Sequence, residues 1–164
     1  MIIADSSLLP TVIDWLKGPL YAALATSAFS ILFGLHSIDI ALASAGAAVG
    51  WATFLAMQAT AAPAFAAFVA ALAAGLYSEI VGWSRARPAT VYMIASIIPL
   101  VPGGGMYFTM LASFEGDPMK MTELGMATIM TAAAIAAGLA IANAFGRIIF
   151  AALVHPMLQR TRKQ

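Results

Sequence analysis

The sequence predicts an all-α integral membrane protein, a bundle of about five transmembrane helices with the fourth broken between Pro99 and Gly105. Three observations carry that prediction. Hydrophobic residues make up 62% of the chain and charged residues 9%, with a mean hydropathy of +0.93. Soluble domains carry about 25% charged residues and need them to cover their surface. Long apolar runs recur at the length of a bilayer span, about 20 residues. The fourth run is interrupted by "PLVPGGG" at 99–105, the segment of the chain least compatible with a helix.

In chain order, "LLPTVIDWLKG" (8–18) reads as a short amphipathic approach, with Leu9, Val12, Ile13 and Leu16 at helical spacing and Trp15 at the interface. Residues 1–17 are thus expected as an interfacial segment, 18–155 as the transmembrane domain and 156–164 as a basic tail. The first span starts at Gly18-Pro19, a usual start signal, and runs to about Leu35. "HSID" (36–39) is a tight polar link in which His36 and Asp39 form a solvated turn. The second span covers about 38–57, and "QATAAP" (58–63) turns into the third, about 63–83. "SRARPAT" (84–90) is a basic loop before the fourth segment, about 90–111. In the acidic loop "FEGDPMKMTE" (114–123), Asp117-Pro118 caps and starts the last helix. No signal peptide is expected, because Asp5, Asp14 and Lys17 precede the first apolar run.

Five crossings place Lys17 and Lys120 on one side with Asp5, Asp14, Glu115, Asp117 and Glu123. Arg85, Arg87, Arg160, Arg162 and Lys163 fall on the other side, where Arg147 can snorkel. The positive-inside rule makes that second side, with the C-terminus, cytoplasmic.

Several function classes fall away. Eight basic residues nearly cancel seven acidic ones, leaving no field for nucleic acid. Cysteine is absent, so thiol catalysis and Cys-based metal sites are excluded. Neither H-E-x-x-H nor G-x-S-x-G occurs, and no Asp is expected inside a span to build a carboxylate dyad. No enzyme, metal or cofactor is therefore expected. The glycine run is not a phosphate loop, since no Lys follows before Lys120.

The candidate pathway residues are those that are expensive in lipid. Pro99 and Pro102 lack an N–H and push their preceding residues away from the helical region, while Gly103, Gly104 and Gly105 add backbone freedom. About one to two turns are expected to unwind between half-helices at Tyr92–Ile98 and Met106–Leu111. Unsatisfied backbone survives in a membrane only inside protein or along a wet cavity, and secondary transporters use such breaks near mid-membrane to hold substrate or ions. A purely structural kink is the competing reading. Tyr107 adds a hydroxyl beside the break. Glu79 is an intramembrane carboxylate, either a proton carrier or cation ligand, or else an interfacial partner of Arg85 or Arg87. Asn143 and Arg147, four apart on the last helix, are secondary candidates, as are Arg85 and Arg87. Small residues also form stripes: Gly138, Ala142 and Gly146 on the last helix, and Gly75 with Gly82 beside Glu79 on the third. Such faces suit close helix packing, with a partner bundle, with a second copy or within the chain. They suit a non-transporting scaffold or assembly subunit equally well.

"SIIPLVPGGGMYFTM" (96–110), preceded by "YSEIVGWSRARPATVY" (77–92), resembles the threonine/serine exporter family, and more narrowly its smaller C-terminal-type half. The resemblance extends over about residues 20–152. It implies export of threonine and serine, or of a dicarboxylate such as succinate, through a bacterial inner membrane, driven by the proton-motive force. It further implies a larger membrane subunit of the same family as partner, since this chain has the length of the small half alone. Under it, Glu79 exchanges the coupling proton and residues 99–105, with Tyr107, meet the substrate.

Overall fold

The computed structural model describes the backbone of residues 8–161 and the side chains of residues 15–148. All regular structure among them is helical: α1 (Leu8–Leu32), α2 (Ser37–Gln58), α3 (Pro63–Ser84), α4 (Ala89–Ile97), a 3-10 turn (Ile98–Leu100), α5 (Gly103–Phe114) and α6 (Pro118–Thr161). Among the described residues, three helical segments are long and apolar enough to cross a bilayer: Ser37–Gln58, Pro63–Ser84 and Pro118–Ile148. The pair Ala89–Leu100 and Gly103–Phe114, bent by 46°, makes a fourth when taken as one span.

The expected first span departs from the sequence reading in two ways. Helix α1 begins at Leu8 and runs on through Gly18 and Pro19, so the boundary drawn at 17/18 falls inside a helix. Over the residues whose side chains are described, 15–32, which include Lys17 and Pro19, it also falls short of the apolarity of a span. On its inner face Thr26 and Ser30 are fully buried and Ser27 meets the Ser44 hydroxyl at 2.8 Å. Polar groups turned toward neighbouring helices lower the apolarity of α1 without exposing them to lipid. The basic tail lies outside the described side chains; its backbone continues α6 to Thr161.

The helices pack on polar glue and small residues. Thr26 donates to the Ala95 carbonyl at 3.4 Å, Ser96 to that of Ala43 at 3.1 Å and Tyr77 to that of Leu42 at 3.0 Å. These contacts also give directions. α2 opposes α1 and α3, whereas α4 runs with α2, level at Asp39–Tyr92 and Ala43–Ser96. The ends therefore sort as the charge pattern requires: Asp39, Arg85, Arg87 and Arg147 lie at one end of the bundle, and Lys17, Glu115 and Lys120 at the other. At that second end Lys120 N–H donates to Asp117 Oδ1 at 3.0 Å, the N-cap of α6.

The small-residue stripe of α6 is used within the chain, against α3. A Cβ on Gly138 would strike the Phe68 carbonyl and the Leu72 amide, one on Gly75 would strike Ala142, and one on Gly146 would strike the Glu79 carboxyl. Residue numbers rise together along this seam, so the two helices run parallel. α6 starts about three turns before the level at which α3 starts, and α5 packs back along that overhang, Gly105 lying against Thr128.

The break is narrower than expected, and only one proline makes it. Ile98, before Pro99, keeps helical angles (φ −48, ψ −47), and the chain simply tightens into the 3-10 turn. Val101, before Pro102, is extended (φ −57, ψ 130), as the clash with a proline ring demands. Pro102 then sits at φ −76, ψ 54 with Gly103 N–H bonded to the Val101 carbonyl at 2.7 Å, an inverse γ-turn. Gly103, Gly104 and Gly105 are not unwound but form the first turn of α5. The break is also off-centre. It lies beside Trp51 and Phe54, one to two turns before α2 ends at Gln58.

Gly138→Ala should lower the thermal unfolding midpoint of the detergent-solubilised chain, with a cost of about 1–3 kcal/mol for overpacking. Gly103→Ala, where an added Cβ finds nothing within 4 Å, should leave it unchanged or higher. Tryptophan fluorescence on heating reads both.

Candidate functional site

Two cavities gather six of the eleven candidate residues: Glu79, Arg87, Arg147, Pro99, Pro102 and Gly105. The larger, about 1000 Å³, lies between the last turns of α3, the loop after it and the Gly146–Arg147 region of α6. Leu76, Glu79, Ile80 and Trp83 follow one another at i, i+3, i+4 and i+7 and so share one face of α3, which forms its wall. Arg87 and Arg147 complete the lining. The Glu79 side chain lies over Gly146, and no larger residue at 146 would leave it that room. One carboxylate and two guanidinium groups therefore meet a cavity with otherwise apolar walls.

The second cavity, about 320 Å³, lies along the break. Pro99, Pro102 and Gly105 line it, facing Trp51, Phe54 and Thr128. The break thus faces α2 and α6 across this cavity on one side, while Val101 is exposed on the other. Gly103 and Gly104 face open space. Tyr107 is 58% exposed and packs edge-on against Phe108, with ring centroids 5.3 Å apart. Asn143 is half-buried on α6. None of these four lines either cavity.

Arg85 and Arg87 do not pair with Glu79 as one sequence reading has it. They pair with Asp39, which is fully buried rather than in a solvated turn; His36 beside it is exposed. Arg87 Nη1 lies 2.8 Å from Asp39 Oδ2 and Arg85 Nε 3.8 Å from Oδ1. The Tyr92 hydroxyl donates to Oδ1 at 2.7 Å. Oδ2 receives no aligned hydrogen bond, so its link to Arg87 is a contact of charges without a directed N–H. The first turn of α2, which holds Asp39, favours a carboxylate through the helix dipole.

The loop that presents the two arginines is a Schellman turn. Arg87 N–H reaches the Gly82 carbonyl at 3.0 Å and Ala86 N–H that of Trp83 at 3.3 Å. The residue between the arginines, Ala86, has φ 51, whereas the equivalent positions after α1 and α5 are Gly34 (φ 71) and Gly116 (φ 72). A non-glycine residue held there costs about 1–2 kcal/mol.

Asp39 is the residue that sequence reasoning missed. The signal was present: with five crossings the 36–39 link and the 84–90 loop share one side, and their opposite charges are free to meet there.

The family model described as Threonine/Serine exporter, ThrE, matches residues 19–145. The chain belongs to that family. It is thus an exporter-type membrane transporter, and the match takes in the break, the smaller cavity and the larger cavity except for Gly146 and Arg147. No curated protein and no solved structure matches the chain.

Tyr92→Phe should destabilise the exporter by about 1.5–3 kcal/mol, the loss of a hydrogen bond to a buried charge. Arg87→Gln should cost a similar amount, less than the ~3–5 kcal/mol of a sealed pair, because Arg85 stays beside Asp39 and Arg87 is 44% exposed. Unfolding midpoints of the purified variants check both.

Proposed function

We propose that the chain is the small subunit of a proton-driven exporter of threonine and serine, lying in a bacterial inner membrane with its C-terminus in the cytoplasm and working with a larger membrane subunit of the same family. The observation that carries the reading is the cavity that joins Glu79 to Arg87 and Arg147. A zwitterionic amino acid offers a carboxylate to the arginines and an ammonium to Glu79. A dicarboxylate such as succinate leaves Glu79 facing a like charge, so the charge pattern favours the amino acid. Glu79 binds either the ammonium or a proton, and that exclusion exchanges one for the other across the membrane.

The break supplies motion in this scheme rather than the principal ligands. α4 is held by α2 and α3, and α5 by α6, so Val101 and Pro102 join two differently anchored halves. Met106, Met110 and Phe114 on α5 are exposed, and this face supports contact with a neighbouring bundle, whether the larger subunit or a second copy. A scaffold has no need of three charges converging on a cavity of this size.

The test is efflux of labelled threonine, serine and succinate from cells expressing the chain with and without the larger subunit. Glu79→Gln should insert normally and cut threonine and serine efflux at least about tenfold, corresponding to ~1.4 kcal/mol or more of lost interaction. Gly103→Leu should also slow efflux if the hinge must flex there. Full-rate efflux by Glu79→Gln, or faster efflux of succinate than of either amino acid, would sink the reading.

A further inference from the structure

Asp39 is buried and lies outside the large cavity, while the arginine it touches lines it. Arg87 therefore stands between two carboxylate environments. On one side is Asp39 Oδ2 at 2.8 Å; on the other is the cavity with Glu79 and Arg147. We propose that Asp39 is the resting partner of Arg87 and competes with the carboxylate of a zwitterionic amino acid for it, with Arg85 taking over Asp39 when Arg87 leaves. The inference rests on the reading of the cavity as the amino-acid site.

Three features of the cluster argue for exchange over a fixed structural pair. The first is the form of the contact. A guanidinium gains most from two parallel, directed N–H bonds to one carboxylate, and Asp39 Oδ2 has no aligned bond at all. A substrate carboxylate free to orient in the open cavity can take both. The second is the asymmetry of burial, with Asp39 at 0% exposure and the Arg87 side chain at 44%. Arg87 can turn outward without leaving its own charge in a dry interior, whereas Asp39 cannot follow it. The third is Arg85. A buried carboxylate that loses its only partner is strongly destabilised, and that penalty would forbid the exchange. Arg85 Nε is already 3.8 Å from Oδ1, on the far side of Ala86 from Arg87, and the Tyr92 hydroxyl holds that same oxygen. The turn fixes the two arginines relative to one another, so the hand-over needs side-chain rotation alone. Asp39 and Arg85 are on this account positioning residues, acting on the substrate through Arg87.

Equilibrium binding of labelled L-threonine and of L-threoninol, which lacks the carboxylate, to the full chain in lipid nanodiscs tests the proposal. Asp39→Asn should tighten threonine binding about tenfold, a typical coupling between two sites, leave threoninol unchanged, and slow efflux because release loses its competitor. Arg85→Gln, outside the cavity lining, should weaken threonine binding by a similar factor, and Asp39→Asn/Arg85→Gln should bind like Asp39→Asn. Phenylglyoxal labelling of Arg87, read by peptide mass spectrometry, should be faster in Asp39→Asn than in the unmodified chain. Weaker binding of both ligands by Asp39→Asn, no effect of Arg85→Gln, or equal labelling rates would each overturn the competition. Threonine binding that is absent, or insensitive to Arg87→Gln and Glu79→Gln, overturns the cavity reading instead, and the inference with it.

Discussion

Helices in a bilayer gain little by hiding apolar side chains from one another, because lipid is as apolar as leucine. Whatever holds them together must come from close backbone approach and from polar groups that lipid cannot satisfy. This constraint organises the whole chain. Glycine or alanine occupies each place where two helices come nearest: Gly46 against Tyr77 and Ser96, Gly82 against Ala89, Gly75 against Ala142 and Gly138 against the backbone of α3. Hydroxyls of Thr26, Ser27, Ser44, Tyr77 and Ser96 fill the remaining contacts. The core is therefore mostly alanine with a few buried hydroxyls, joined by Val81, Tyr92, Met93, Leu100 and Ile135, while many other large apolar side chains are exposed.

The same rule explains where charge is tolerated. A carboxylate in the bundle must have its own cations, and Asp39 has two, delivered by one short loop. Glu79 lies over a glycine and faces a cavity that Arg147 also lines. These two acids sit at the same end of the molecule, and Arg87 belongs to both settings. Structural neutralisation and the candidate substrate site thus share a residue, which makes neither independent of the other.

Much of this was legible in the residues. The stripe Gly138, Ala142, Gly146 has a helical period, so its packing role could be read directly; its partner could not, because a small-residue face carries no label for which helix it meets. Pro102 announced a break, but which of the two prolines would impose it depended on backbone angles that Ile98 and Val101 adopt differently. Gly103, Gly104 and Gly105 looked like unwound backbone and instead begin a helix, since glycine permits non-helical angles without requiring them. Asp39 was hidden because a short polar link next to a span resembles a solvated turn. Its burial follows from Arg85, Arg87 and Tyr92, which lie far away in sequence.

The break acquires a further meaning from what surrounds it. α3 joins α4 through the arginine loop, α4 joins α5 through Pro102, α5 joins α6 through the acidic loop, and α6 returns to α3 along the glycine seam. These four rods form a closed linkage. A joint in such a ring cannot bend alone; any change of angle at Val101–Pro102 must be taken up at the other corners or by sliding along the α3–α6 seam. That seam packs Ile135 and Leu139 of α6 against the alanines of α3 and ends at Gly146 beneath the Glu79 carboxyl. Flexing at one end of the bundle is thereby geared to the position of a charge near the other.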